Sequence, residues 1–147
     1  ARDLLKKSEI ILVQEFMPSD YDWRIGILNG EAIFACQYFM AEGHWQVVKH
    51  KDADGDGKTP HGVKKPLEME EGGHRTIPIE DAPKEVVEVA LKAANLIGKG
   101  LYGVDLKQTE KGVYVIEVND NPNVDVGIED AVLGDTLYRK IITHLVN

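Results

Sequence analysis

The sequence has little of several features that define broad classes of proteins. Cys36 is the only cysteine in 147 residues, which excludes an internal disulfide framework and a cysteine-rich zinc site and is typical of a reducing compartment. No apolar run approaches the roughly 20 residues that a bilayer-spanning helix needs. These absences predict a cytoplasmic protein without a membrane partner.

Positive charge is also scarce. The 17 Lys and Arg residues are outnumbered by 25 Asp and Glu residues, which gives a formal net charge of −8 and argues against direct binding to nucleic acid. The 43% content of hydrophobic residues is sufficient for a packed core, and the length suits a single domain over residues 1–147. The chain opens at Ala1 without an initiator methionine or a signal-peptide pattern, which is typical of a processed chain, a truncated chain or a piece of a longer protein. Of these we expect a fragment of a longer protein, because of the motifs described below.

The first part of the chain predicts β-structure. Asn29-Gly30 between two alternating runs is a strong hairpin signal, because a type I′ turn needs positive φ at both central positions. This two-residue loop pairs Leu28 with Glu31 and places Arg24 opposite Ala35. The expected strands are Ile10–Phe16, Trp23–Leu28 and Ala32–Met40, with Trp45–Lys49 as a short extension of the sheet.

Two helices are predicted in the second half. Asp81 is a suitable N-cap, Pro83 fits a first helical turn, and Gly98 is a stop signal. The polar segment 50–73 before them is typical of a long surface loop. The second helix is expected over Asp135–Val146. The buried positions expected from helical spacing are Val86, Val87, Ala90, Ala93, Ala94 and Ile97 in the first helix, and Leu137, Ile141, Ile142 and Leu145 in the second.

The most chemically informative segment is a hairpin between these helices. Its strands are expected at Tyr102–Lys107 and Val113–Asn119. The connecting Glu110-Lys111-Gly112 has the length and the final glycine of a type I turn followed by a left-handed residue. Counting outward from this loop places Asp105 opposite Glu117.

Polar side chains converge on one face of this hairpin. Because side chains alternate along a strand, Lys107 shares the face of Asp105, and Asn119 shares the face of Glu117. Asp105, Glu117 and Asn119 supply only hard oxygen ligands, which suit Mg²⁺ or Mn²⁺, and such ions are commonly completed by phosphates. An ordinary solvent-facing hairpin, with Lys107 paired to Glu117, is the alternative. The other face is expected to be apolar: Val104, Leu106, Ile116 and Val118.

Three groups of residues in the right order resemble the ATP-grasp superfamily, over nearly the whole chain. The similarity is greatest to its RimK-like branch of ATP-dependent carboxylate–amine ligases, which includes ribosomal-protein glutamate ligases and glutathione-synthase relatives. The residues that carry it are Val13-Gln14-Glu15-Phe16 with Asp22-Trp23-Arg24, then Gly72-Gly73, then Gly103-Val104-Asp105-Leu106-Lys107 with Ile116-Glu117-Val118-Asn119-Asp120-Asn121-Pro122.

The resemblance implies Mg²⁺ (or Mn²⁺) and ATP as cofactors, with small carboxylates and amines, such as amino acids or peptides, as substrates. Asp105, Glu117 and Asn119 are then the expected metal ligands. A carboxylate would attack the γ-phosphate to give an acyl phosphate, which an amine converts to an amide.

The resemblance also implies roles for four nucleotide-binding residues. Arg24 is expected to hold the phosphates or the acyl phosphate, because a guanidinium matches phosphate oxygens, and pairing with Asp22 is its alternative. Val13 and Glu15 are expected to contact adenine and ribose. Lys107 is expected near the phosphates, without a fixed role.

Two features depart from this pattern. The glutamate-ligase branch usually has a basic residue where this chain has Tyr38, so substrate identity does not carry over. The family also binds ATP between two halves, and the lysine-bearing, glycine-looped front half has no counterpart here.

A rival motif, Asp52–Gly57, resembles the start of an EF-hand loop, but the twelfth position of that loop is Val63 rather than an acidic residue.

These observations predict an α+β fold in which a mostly antiparallel sheet carries helices on one face, as in the C-terminal subdomain of an ATP-grasp domain. The expected function is Mg-ATP-dependent carboxylate–amine ligation by the full-length parent, with this chain supplying the metal and phosphate half of the site. The alternative is a non-catalytic module that binds nucleotide, or binds calcium through its acidic loop. If the ATP-facing surface is uncovered, copies of the chain are expected to pair.

Overall fold

A five-stranded antiparallel sheet forms the centre of the protein, with the strand order β5-β2-β1-β6-β7. The computed structural model describes residues 5–11, 13–40, 48–50, 69–71 and 73–146. The elements are β1 (Tyr21–Leu28), β2 (Glu31–Phe39), β3 (Val48–His50), β4 (Met69–Glu71), β5 (His74–Ile77), a 3₁₀ turn (Ile79–Asp81), α1 (Lys84–Ile97), β6 (Leu101–Thr109), β7 (Gly112–Asn119) and α2 (Asp135–Val146).

The β1–β2 hairpin turns at the predicted residues. Asn29 and Gly30 have φ of 53° and 79°, and Leu28 pairs with Glu31, so the turn and its register are confirmed. Further along, the register shifts between Gly26 and Ile27. The prediction that Arg24 lies opposite Ala35 is therefore wrong, and its partner is Cys36. The sequence pattern contains no signal for this irregularity, because the turn residues fix the register only near the turn.

The predicted strand Ile10–Phe16 is wrong for the described residues of that run, which form no strand. Ile10 and Phe16 are 83% and 66% exposed. A β-branched run becomes a strand only where a neighbour supplies hydrogen bonds, and the described sheet ends at β5 and β7.

Only residues 48–50, 69–71 and 73 of the segment 41–73 are described, so the predictions for this segment are tested in part. The predicted strand Trp45–Lys49 does not extend the main sheet in its described part, because β3 pairs with β4 in a separate two-stranded ribbon. The acidic motif Asp52–Gly57 and Gly72 lie outside the described residues.

Helix α1 covers one face of the sheet. Pro83 occupies the N-cap position, and Asp81 ends the preceding 3₁₀ turn, so the prediction that Asp81 caps the helix is wrong. Gly98 ends the helix as predicted. Ile97 is 58% exposed rather than buried, because it is the last helical residue and lies beyond the sheet contacts. The buried residues of this interface are Trp23, Ile25, Ile27, Ala35, Ala82, Val86, Ala90, Ala94, Tyr102, Val104 and Leu106.

Helix α2 has the predicted bounds and packs at the end of the sheet beside the Asn29-Gly30 turn. Its Leu137 and Ile141 are buried in a second cluster with Leu28, Ile33 and Phe34. Leu28 and Phe34 lie on the face of β1 and β2 opposite α1, since Leu28 alternates with Ile27 and Phe34 pairs with Gly26. The α+β class and the mostly antiparallel sheet are confirmed. The expectation that both helices pack on one face is wrong, because the α2 cluster includes Leu28 and Phe34 on the face opposite α1. Two expected core positions of α2 are exposed: Ile142 (59%) and Leu145 (65%).

No helix in the described part of the chain is long and apolar enough to cross a membrane.

Gly26→Ala is expected to destabilise the protein by about 1–3 kcal/mol, as overpacking typically does. A Cβ at this position would overlap the ring of Phe34, which is only 3% exposed. Chemical denaturation measures the effect. Gly73→Ala is the control, because its Cβ would meet only Phe39 at an ordinary 3.9 Å. Equal stability changes in the two variants would contradict the packing described here.

Candidate functional site

The face of the sheet opposite α1 carries the polar residues that the sequence singles out, and we call it the site face. Across three neighbouring strands, Arg24 pairs with Asp105 and Asp105 with Glu117, so the predicted opposition of the two carboxylates is confirmed. One step along, Gly103 pairs with Asn119. The three candidate metal ligands therefore occupy adjacent positions of the β6–β7 hairpin.

The hairpin itself differs from the expectation in two details. Gly112 has a φ of 132° and pairs with Thr109, so the connecting turn contains only Glu110 and Lys111. Leu106 pairs with Val115 rather than with Ile116, which is the extra residue of a β-bulge. The bulge restores the alternation that the shorter turn would otherwise shift, and so leaves Glu117 opposite Asp105.

Arg24 is the central charged residue of the site face. Its Nε and Nη2 donate to the two carboxylate oxygens of Asp105, each at 2.8 Å, in a bidentate ion pair. This hydrogen bonding raises the pKa of Arg24 above its usual range. The expected alternative of pairing with Asp22 is wrong in the structure. The side chains of Arg24 and Asp105 are 22% and 21% exposed, so the pair can be reached from solvent.

The Tyr38 ring packs against the Arg24 guanidinium. The guanidinium carbon lies 5.2 Å from the centre of the Tyr38 ring, within the range of a cation–π contact. The Tyr38 hydroxyl donates to a carboxylate oxygen of Glu129. Burial, and then this hydrogen bond, raise the pKa of Tyr38, so that the hydroxyl keeps its proton.

Cys36 is fully buried on the same face, as expected of a small core residue. Burial raises the pKa of its thiol, which disfavours the nucleophilic thiolate.

The loop after β7 is fixed to the site face at several points. Asn119 Oδ1 accepts the Asn121 N–H at 2.9 Å, which forms a tight Asx turn. A Cβ on Gly103 would lie 2.8 Å from Cβ of Pro122, so the glycine provides the space in which this proline is buried. Thr76 on β5 donates its hydroxyl to the carbonyl of Ile128 at 2.6 Å. These contacts hold the Asn119 end of the loop close to Asp105.

Lys107 is neutralised by neighbours. Its Nζ lies 2.5 Å from Asp22 Oδ1 and 2.6 Å from Ser19 Oγ. The alternative ion pair with Glu117 is therefore wrong. Its expected place near the phosphates stays a prediction.

The expected adenine-binding residues lie in an irregular segment before β1. Val13 is 81% exposed and Glu15 is also exposed. Their nucleotide contacts stay a prediction.

The donor set fits a hard divalent cation. Within the part of the chain that the structure describes, no three His, Cys, Asp or Glu side chains cluster as a closed metal site. The candidate set instead has two carboxylates and the Asn119 amide, which is typical of a Mg²⁺ site completed by water and phosphate. Each Asp105 oxygen that accepts from Arg24 retains a second lone pair for a metal.

Sequence reasoning does not find two residues that form hydrogen bonds around the site, Glu129 and Thr76. Glu129 is fully buried and accepts hydrogen bonds from Tyr38 and from the Asp125 N–H, the latter at 2.8 Å. It lies in a segment without periodicity, and nothing in the sequence separates it from neighbouring acidic residues. Thr76 likewise has no sequence signal, since its role depends on a loop 52 residues away. Tyr38 does have a sequence signal, because the family that the chain resembles usually has a basic residue at this position.

Comparisons with known proteins identify the family of this chain. A family model described as the RimK-like ATP-grasp domain matches residues 72–145, and the chain belongs to this family. The chain is 30% identical over 125 residues to a D-alanine–D-alanine ligase of Lacticaseibacillus casei, covering 83% of the chain and 30% of that protein. It is 29% identical over 141 residues to a probable alpha-L-glutamate ligase of Syntrophotalea carbinolica, covering 92% of the chain and 39% of that protein. The chain thus spans about a third of the length of these relatives.

Solved structures show the same fold. The ATP-grasp ligase PsnB, solved with a minimal precursor, aligns with a TM-score of 0.50 and 19% identity, over 88% of this chain and 36% of that one. PsnB has also been solved with a phosphomimetic variant of the precursor, Mg and ADP. Both of the relatives named here are ligases.

Tyr38 gives the protein a measurable response to high pH. The pKa of Tyr38 is raised in the folded state, whereas an unfolded tyrosine titrates near pH 10. The unfolded state therefore loses this proton first, and the free energy of unfolding is expected to fall as pH rises above about 10. Chemical denaturation between pH 8 and pH 11 measures the slope, and Tyr38→Phe is expected to have a shallower one. An equal slope in both proteins would show that the folded environment does not hold the proton.

Proposed function

We propose that this chain supplies the metal and phosphate half of the active site of a Mg-ATP-dependent carboxylate–amine ligase. The observation that carries the proposal is the row Arg24–Asp105–Glu117 across β1, β6 and β7, with Asn119 beside it on the site face. This row puts a guanidinium, a group that suits phosphate oxygens, next to oxygen donors that suit a divalent metal. Membership in the RimK-like ATP-grasp family supports the nucleotide assignment.

The residues of the site face have separate proposed roles, in which the carboxylates and the amide bind the metal and Arg24 binds phosphate. Asp105, Glu117 and Asn119 would hold Mg²⁺ through oxygen atoms. The ion, when bound, supplies positive charge that offsets the charge developing on the phosphates. Arg24 uses only two of its five N–H donors on Asp105, so the others are available to phosphate oxygens while the ion pair stays intact.

The proposed reaction is the one that the resemblance to this ligase family implies, and the charge arrangement suits it. An oxygen of the substrate carboxylate attacks the γ-phosphorus, the bond to the bridging oxygen breaks, and ADP leaves with an acyl phosphate remaining. An amine then attacks the acyl carbon, loses a proton, and displaces phosphate to form the amide. Arg24 stabilises the negative oxygens of the transferred phosphoryl group, and the half-buried ring of Tyr38 excludes water from one side of the guanidinium.

The relatives support this reaction class. The names D-alanine–D-alanine ligase and alpha-L-glutamate ligase describe enzymes that join amino acids, and PsnB has been solved with Mg and ADP. We propose amino acids or peptides as the carboxylate and amine for the full-length parent. A reducing, ATP-containing compartment such as the cytoplasm suits the single buried cysteine.

Glu117→Gln in the full-length parent is expected to lower amine-dependent phosphate release from Mg-ATP by more than about 100-fold. The reason is that a metal ligand contributes several kcal/mol to the stabilisation of the transition state. Release is measured with pooled amino acids and small peptides. Glu110→Gln is the control, because Glu110 is an exposed residue in the turn at the far end of the same hairpin.

The control variant is expected to keep the wild-type rate. Release that needs no amine or carboxylate pool, or that survives Glu117→Gln, would contradict the proposed ligase. Nucleotide binding without any release would instead identify a non-catalytic nucleotide-binding module.

A further inference from the structure

Glu129 is a buried carboxylate that the proposed reaction does not use. Its exposure is 0%, so it cannot touch a substrate. Its carboxylate oxygens accept from two neutral donors, the Tyr38 hydroxyl and the Asp125 N–H. Burial of a carboxylate is costly unless hydrogen bonds and a positive charge compensate it.

The compensating positive charge is Arg24, which Glu129 reaches through Tyr38. The ion pairs of the described residues do not include Glu129. Tyr38 contacts Glu129 with its hydroxyl and Arg24 with the face of its ring. Charge therefore alternates along the network Asp105, Arg24, Tyr38 and Glu129, and only the tyrosine is neutral.

The network fixes the orientation of the guanidinium in two directions. Asp105 holds the edge that carries Nε and Nη2, and the guanidinium carbon lies over the Tyr38 ring. The ring can orient the guanidinium only if it is itself held in place, and the hydroxyl contact with Glu129 anchors its far end. Glu129 belongs to the same loop that begins at Asn119, so the metal-ligand loop and the phosphate-binding arginine are tied together.

We infer that Glu129 is a positioning residue, which acts through Tyr38 to hold Arg24 in the orientation that lets it bind Asp105 and the nucleotide phosphates at once. This inference rests on the proposed function. It predicts that loss of the carboxylate weakens binding of the phosphates and leaves binding of the nucleoside unchanged. A purely structural role in the loop would affect both equally or neither.

The test uses calorimetry on the full-length parent with two probes, Mg²⁺ with the non-hydrolysable analogue AMP-PNP, and adenosine alone. Glu129→Gln keeps the shape and the hydrogen-bond acceptor but removes the charge. Tyr38→Phe keeps the ring and removes the hydroxyl. Both are expected to weaken AMP-PNP binding by about tenfold, the lower end of the range for residues that orient metal ligands, without changing adenosine binding.

Asp130→Asn is the matched control. Asp130 lies in the same loop, is 9% exposed, and accepts the Gly127 N–H at 2.6 Å without contacting Tyr38 in the described structure. It is expected to leave the affinities for both probes unchanged. If Glu129→Gln does not fold, Tyr38→Phe decides the outcome, since it leaves the carboxylate in place.

Equal weakening of both probes, no weakening of AMP-PNP, or an equal effect of Asp130→Asn would overturn the inference. The proposed function fails separately, if the wild-type parent does not bind Mg²⁺–AMP-PNP or if Glu117→Gln leaves its binding intact. Wild-type binding that depends on Glu117 but not on Glu129 would reject the positioning role alone.

Discussion

The bidentate ion pair between Arg24 and Asp105 is the interaction on which the site depends. It joins β1 to β6 at the position where Asp105 also faces Glu117. Without the arginine, two carboxylates would lie side by side on neighbouring strands, and their repulsion would disfavour the arrangement. With it, one of the two carboxylates is compensated, and the guanidinium keeps donors that Asp105 does not use. Under the proposed function, these donors would serve a phosphate while the carboxylates hold a cation.

Small residues make the geometry around this pair possible. Gly26 and Gly103 are neighbours across β1 and β6, one step from Arg24 and Asp105. Their missing side chains are replaced by the Phe34 ring and by Pro122, which lie against the backbone. The first joins the sheet to the α2 cluster, and the second brings the Asn119 loop onto the site face. Core packing and site geometry are therefore set by the same two positions.

Periodicity and turn chemistry predict the elements that are formed by residues close together in the sequence. The Asn29-Gly30 hairpin and the bounds of α2 follow from local sequence, whereas Asp105 lies opposite Glu117 only because a β-bulge offsets a turn that is shorter than predicted. The residue that pairs with Arg24 on β2 does not follow from local sequence, because a β-bulge between Gly26 and Ile27 shifts the register. The network of Tyr38, Thr76 and Glu129 escapes prediction because its members are distant in sequence and meet only in the folded sheet. The family resemblance supplies the candidate metal ligands, whereas only the coordinates reveal how Arg24 is held.

The most direct measurement is anomalous diffraction from crystals of the full-length parent grown with Mn²⁺ and AMP-PNP, at a wavelength sensitive to manganese. The account predicts a peak within about 2.2 Å of oxygen atoms of Asp105, Glu117 and Asn119, a distance typical of small divalent cations. It also predicts that the bidentate contact between Arg24 and Asp105 persists while Arg24 donates to a phosphate oxygen. A manganese peak at Asp52–Asp56, or an Arg24 that leaves Asp105 when nucleotide binds, would contradict it.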